Sequence, residues 1–355
     1  MRTLSVSLLL PLLLALPAAV LPDGAAATHD EVIMPPALSP GGTVALVTPA
    51  RPQREELITR VKEGLQANGY NVVLAPNLTT QWGYLAGTDE ERAEALMEAW
   101  RNPDVDAIFS LIGGYGTTRI LDKLDYDVIR ENPKVFTGLS DITGLHSAIH
   151  MKTGLVTFHS PNTSWVLARV EEERPFAVES FWRTIDSTSY PPDAQESPGW
   201  TIPMSEPDIP TETIAPGRAS GRLIGGNLSL VHALMGTPYE IETEGRILFL
   251  EDVNEAPYRV DRMLSTFQMA GKLDGVAGVV LGRFTRADPE DPDRSFTHRE
   301  VFEHYFAHRD YPVVFNFPVG HVQDNATLPV GALAALDAEA GTLTLLENPV
   351  VLPGE

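Results

Sequence analysis

From Thr43 to His159 the chain alternates two hydrophobic patterns. Short β-rich runs, "TVALVT" (43–48), "NVVLA" (71–75), "DAIFSLI" (106–112) and "KVFTG" (134–138), are separated by stretches such as "REELITRVKEGLQANG" (54–69) and "DEERAEALMEAWRN" (89–102), whose apolar residues recur at helical spacing. Strands and helices in regular alternation predict a parallel, doubly wound sheet across 41–161. Such sheets bind ligands beyond the C-terminal ends of their strands.

The pattern changes after Pro161. Residues 162–219 are rich in Pro, Glu, Ser and Thr, with turn signals such as "SYPPDAQESPG", and read as a long connection with short elements of its own. A second domain is expected over 220–350. Its strands would be "RILFLED" (246–252), "GVVLG" (278–282), "ALAALD" (332–337) and "TLTLLE" (342–347), with a helix over "YRVDRMLSTFQMAG" (258–271). No internal repeat is visible.

The N-terminus stands apart. Arg2 is followed by the Pro-broken apolar run "LSVSLLLPLLLALPAAVL" and then by alanines 25–27, the layout of a secretory signal peptide over 1–27, cleaved near Thr28. The alternative is an uncleaved anchor. The expected location is therefore the periplasm or the exterior. The chain has no cysteine, so disulfides and thiol catalysis are excluded. A formal charge of -22 survives loss of the leader, because Arg2 and Asp23 cancel. Such a field repels phosphate backbones and anionic membranes and argues against nucleic-acid binding.

Two loops at predicted strand ends carry the candidate chemistry. Gly113, Gly114, Tyr115 and Gly116 follow "DAIFSLI", where bare backbone N–H groups can approach a ligand, although neither the Gly-Lys-Ser/Thr ending nor the spaced dinucleotide fingerprint is present. In "VFTGLSDITGLHSA" (135–148), Ser140 falls between a strand and a helix start. That place suits an exposed nucleophile or a simple N-cap, and the residues alone leave both readings open. Glu251 ends a buried strand, and His321 lies in the Gly- and Pro-bounded loop "FPVGHVQDNATLPVGA"; each also has a structural reading. His146 with His150, and His304 with His308, have helical spacing, yet Ser147 stands where a zinc-protease helix carries glutamate. No metal site is expected.

Taken together, "GGYGTTRIL", "GLSDIT", "GGNLSL", "LFLEDVNEAPYRVDRML" and "GHVQDNATLPVGA" resemble, in order and spacing from about Gly41 to Ala335, the LD-carboxypeptidases of the Ser-Glu-His type, which include the microcin C self-immunity peptidases. The resemblance implies a Rossmann-like N-terminal domain, a C-terminal mixed β-rich α/β domain, a homodimer, and no metal or cofactor. It implies Ser140 as nucleophile, Glu251 as acid and His321 as general base. Backbone N–H groups of Gly114 and Asp141 become candidates for the oxyanion hole, and Tyr115 and Asn227 for substrate binding. The expected activity is release of terminal D-Ala from a muropeptide stem by cleavage of an L-to-D bond. Two alternatives are an immunity-type peptidase acting on a peptide-nucleotide or other modified peptide, and a non-catalytic periplasmic solute-binding protein. Ser160 in "FHSPN" stands where many relatives have glycine.

Overall fold

The computed structural model describes residues 31–167, 175–190, 199–203, 207–289 and 291–354, so the expected signal peptide lies outside the described residues. Strands β1 (Thr43–Val47), β2 (Asn71–Leu74), β3 (Ala107–Ser110), β4 (Val135–Gly138) and β5 (Thr157–His159) form a parallel sheet in the order β5-β4-β3-β1-β2. This is the doubly wound sheet expected from the alternating pattern. β3 and β4 are buried along their whole length, as parallel strands covered on both faces must be. Helix α1 (Glu55–Ala67) turns Ile58, Val61 and Leu65 toward the sheet, and α2 (Asp89–Arg101) begins at a capping box between Thr88 and Glu91.

The second sheet contains β6 (Thr201–Ile202), β7 (Glu212–Ala215), β8 (Arg218–Asn227), β9 (Ile247–Val253), β10 (Gly278–Thr285), β11 (Val313–Phe315), β13 (Leu333–Asp337) and β14 (Thr342–Leu345). Their order is β6-β14-β13-β8-β9-β10-β11-β7, with β8 to β11 parallel and the flanking strands antiparallel. The mixed, β-rich character matches expectation. Phe249, Leu250, Val279, Val280, Phe302 and Phe306 lie at its buried centre.

The two halves are interleaved more than their patterns announce. Strand β12 (Leu328–Val330), from the C-terminal part, pairs antiparallel with β5 and extends the N-terminal sheet. The 162–219 stretch also does more than connect. Helix α6 (Pro175–Ile185) buries Phe181 and Ile185 in the N-terminal core, while β6 and β7 close the two edges of the second sheet.

Candidate active site

Ser140 follows β4 by two residues and opens a single 3-10 turn, Ser140–Ile142, which runs into α4 (Thr143–Thr153). Its φ is 66°, a left-handed conformation that a non-glycine residue adopts only where surrounding structure holds it. A simple N-cap has extended backbone, and here that conformation belongs to Leu139. The serine is therefore presented on a strained strand-to-helix elbow. The first internal bond of the turn is Ile142 N to Leu139 O at 3.3 Å, so the Asp141 N–H precedes the hydrogen-bonded ladder and is a donor for an incoming anion.

The glycine-rich turn touches this elbow. A Cβ on Gly113 would lie 2.7 Å from Leu139 O, 2.9 Å from Ser140 Cβ and 3.1 Å from Asp141 N. The backbone at Gly113 thus passes beside the serine and the Asp141 N–H. Asp141 ties the two loops together: its carboxylate accepts from Thr117 N at 2.9 Å and its carbonyl from Thr117 Oγ1 at 2.5 Å. Gly113→Ala is expected to lower turnover about 100-fold while the protein stays folded, because backbone on the elbow has to shift by tenths of an ångström. Steady-state rates and a melting curve on the purified variant check this.

Glu251 lies on β9 opposite Asn227 of β8, fully buried. His321 Nδ1 donates to Glu251 Oε2 at 2.7 Å, leaving Nε2 as the basic nitrogen of the ring. Gly320 allows this approach, since a Cβ there, at φ 126°, would sit 2.8 Å from Glu251 Oε2. Burial acts to lower the His321 pKa, but the Glu251 charge and hydrogen bond outweigh it and hold the imidazole above its ordinary value. For Glu251, burial pulls upward, yet His321, His159 and Asn227 keep the carboxyl below its usual range.

Beneath this pair lies a polar scaffold that motif reading did not identify. Asn227 Nδ2 donates to Glu251 Oε1 at 3.3 Å and to Asp252 Oδ1 at 2.9 Å, while its Oδ1 caps α7 (Leu228–Ala233) by accepting from Leu230 N. Asn227, expected at the substrate pocket, therefore has its carboxamide committed to the acid. Asp252, also bonded by Ser229, is pushed up to about 6 by burial and by the Glu251 charge. The backbone N–H of Asn227 donates to Thr143 Oγ1 at 3.0 Å. Thr143, Asn227, Glu251 and His321 thus form a chain of contacts from the serine turn to the imidazole. Tyr115 is half exposed and packs edge-on against Tyr84 at 5.6 Å, on the rim beside the glycine turn.

Three histidines of the N-terminal half are buried and neutral. His146 contacts Thr157 Oγ1 at 2.9 Å and Gly138 O at 3.1 Å, and His150 contacts Leu155 O at 3.2 Å, so the helical pair is used in packing. His159 at the end of β5 has no hydrogen-bond partner on either nitrogen, packs edge-on against Phe249 at 5.3 Å, and brings Nε2 to 4.0 Å from Glu251 Oε1. Burial lowers these groups to about 3, about 4 and about 4 respectively. The unfolded chain takes up their protons below pH ~6.5 while the native state does not, so stability falls as pH drops toward 4, by about 1.4 kcal/mol per pH unit for each histidine. Asp252, protonated early in the native state, offsets part of this. Denaturant midpoints between pH 7 and pH 4.5 are expected to fall steadily; a flat profile would contradict the assignment of neutral buried rings.

Two family models match this chain, one described as the LD-carboxypeptidase N-terminal domain over residues 44–160 and the other as the LD-carboxypeptidase C-terminal domain over 220–336. A probable murein peptide carboxypeptidase of Bacillus subtilis (strain 168) is 37% identical over 311 residues, covering 88% of this chain and 93% of that protein. Among solved structures, the microcin C7 self-immunity protein MccF in its wild-type apo state superposes with a TM-score of 0.81 at 26% identity, covering 90% of this chain and 100% of that one. The muramoyltetrapeptide carboxypeptidase from Oxalobacter formigenes gives 0.72 at 32% identity, with coverages of 85% and 97%. The elbow, the buried acid–imidazole pair and these matches agree: the chain belongs to the LD-carboxypeptidase family.

Proposed function

We propose that this carboxypeptidase is a serine enzyme that hydrolyses an L-to-D peptide bond and releases terminal D-alanine from a peptidoglycan stem tetrapeptide. The observation that carries this reading is the buried Glu251 holding His321 by Nδ1 at 2.7 Å, in a chain that also presents a serine at φ 66° on a strand-to-helix elbow. An amide is a poor electrophile, so its hydrolysis needs an activated nucleophile, a proton donor for the leaving nitrogen and donors for the tetrahedral oxyanion.

Ser140 Oγ attacks the carbonyl carbon as its proton passes to His321 Nε2, and the Gly114 and Asp141 N–H groups receive the negative oxygen. The C–N bond then breaks as His321 returns that proton to the departing D-amino acid, leaving an acyl-serine. Water, deprotonated by the same imidazole, releases the acid and restores Ser140. Glu251 keeps the tautomer fixed and stabilises the transient imidazolium.

Incubating the protein with L-Ala-D-Glu-diaminopimelyl-D-Ala and measuring free D-Ala tests the reading, with Ser140→Ala as control. Release by the first and not the second supports it; equal release by both ends it. The likeness to the microcin C7 self-immunity protein favours a second reading, a modified peptide as substrate of the same machinery, and a panel containing aminoacyl nucleotide conjugates separates the two. A solute-binding protein leaves the strained serine and paired histidine unexplained. Residues 1–27 would direct export and bring intact stems within reach, which the intact mass of the secreted protein tests.

A further inference from the structure

A cavity of about 600 Å³ opens at the C-terminal ends of β9 and β10, lined among others by Asn254, Tyr258, Arg286, Asp288 and Arg294. It lies next to the machinery above. Val253, two residues beyond Glu251, pairs with Thr285, and Asn254 N donates to Thr285 O at 2.9 Å. Asn254 and Arg286, the residues that follow these two strands, both have left-handed backbone, at φ 63° and 53°. Asparagine visits this region readily, whereas for arginine it is strained, and such strain persists where surrounding structure over-determines it.

Arg286 differs from two neighbouring arginines in its partners. Arg259 in the same lining has Glu255 at 3.7 Å, and nearby Arg283 donates to Ile209 O at 2.6 Å. Arg286 makes no ion pair or side-chain hydrogen bond among the described residues. Arg294 of the same lining shares this state among the described residues, and Arg286 is distinguished by its place directly after β10, the strand that pairs with the strand of Glu251. Its charge is felt at His321, where it opposes the pull of Glu251 and Asp252.

A carboxypeptidase has to recognise the end of a chain. The free carboxylate of the departing residue lies two bonds from the scissile nitrogen, and that nitrogen must approach His321 to be protonated. A cation within electrostatic reach of His321, on the wall of a cavity and with no ion-pair partner among the described residues, occupies the place such a carboxylate requires. Guanidinium also matches carboxylate geometry with two parallel N–H donors.

We infer that Arg286 binds the C-terminal carboxylate of the substrate and gives the enzyme its preference for a free chain end. Arg286 then holds its strained backbone to aim its side chain across the mouth of the β9–β10 crevice toward the leaving group.

The inference rests on the carboxypeptidase reading of Ser140, Glu251 and His321, and its test separates the two. The Ser140→Ala protein is titrated with the stem tetrapeptide as free acid and as C-terminal carboxamide, alone and combined with Arg286→Ala or Arg286→Lys. The free acid is expected to bind Ser140→Ala more tightly than the carboxamide. Arg286→Ala is expected to collapse that preference by about 10- to 100-fold, the scale of a charge-assisted hydrogen bond, and Arg286→Lys to restore part of it. Equal affinity of Ser140→Ala for acid and carboxamide, or a preference that survives Arg286→Ala, overturns the inference whatever the wild type turns over. D-Ala release by the wild type decides the catalytic reading separately. In wild-type background, Arg286→Ala is expected to raise KM for the acid far more than it lowers kcat; equal losses on acid and carboxamide substrates would mark a merely structural role and overturn the inference.

Discussion

Ser140→Ala is expected to lower turnover of an LD-tetrapeptide by about 10⁴-fold or more, with the fold intact. Without the hydroxyl there is no acyl-serine, and the remaining elements can only position substrate and stabilise an oxyanion formed by direct attack of water. Alanine keeps a Cβ at φ 66°, so the strain of the elbow is unchanged and the melting temperature should stay close to that of the wild type. Rates measured by D-Ala release, alongside thermal unfolding, separate loss of chemistry from loss of structure. A variant that retains even a tenth of wild-type activity would remove the serine from the mechanism.

The second large effect is expected at Glu251. Replacement by glutamine keeps the shape and leaves an oxygen to accept from His321 Nδ1, but it removes the negative charge that stabilises the imidazolium. A loss of about 10³- to 10⁴-fold in kcat is expected, the scale seen when a triad acid is neutralised. The pH dependence gives an independent signature. The base must be neutral to accept the serine proton, and Glu251 holds His321 above its ordinary value, so wild-type activity is lost as pH falls through that raised value. In Glu251→Gln the upward pull is gone, and the acid limb of the residual activity moves to lower pH. A limb that does not move would mean that Glu251 is not the group tuning the base.

Much of this arrangement was legible in the sequence, and the parts that were not have physical reasons. The N-terminal strands announce themselves because central parallel strands are apolar throughout, as in β3 and β4, and the helices between them have clean apolar faces. The elbow is legible as a strand, two residues and a helix start, yet its left-handed serine is not, because nothing in "GLSD" demands a positive φ until Gly113 is packed against it. β8 escapes pattern reading for a related reason. "RASGRLIGGN" mixes polar and glycine residues and becomes a central strand only through β13 on one side and β9 on the other. Helix α6 is hidden by the Pro- and Glu-rich residues around it, although Phe181 and Ile185 lie four apart on its buried face.

At the site, motif spacing led to Glu251 and His321, but the scaffold that fixes them depends on long-range contacts. Asp252, the last residue of "RILFLED", carries no motif of its own and is buried between Ser229 and Asn227. His159 has no partner in local sequence; only the closure of β5 against the second sheet brings it to Glu251. The crossing of β12 to β5 is likewise invisible locally, because three residues, Leu328–Val330, carry no period of their own.

Activation of Ser140 by His321 and Glu251 makes the hydroxyl reactive toward a fluorophosphonate, so covalent labelling reads it out. Wild-type protein is treated with a fluorophosphonate at neutral pH, digested, and mapped by mass spectrometry. One adduct is expected, on Ser140, accompanied by loss of D-Ala release and formed far more slowly in His321→Ala. Modification of a different residue with loss of activity, or equal labelling rates in wild type and His321→Ala, would contradict it.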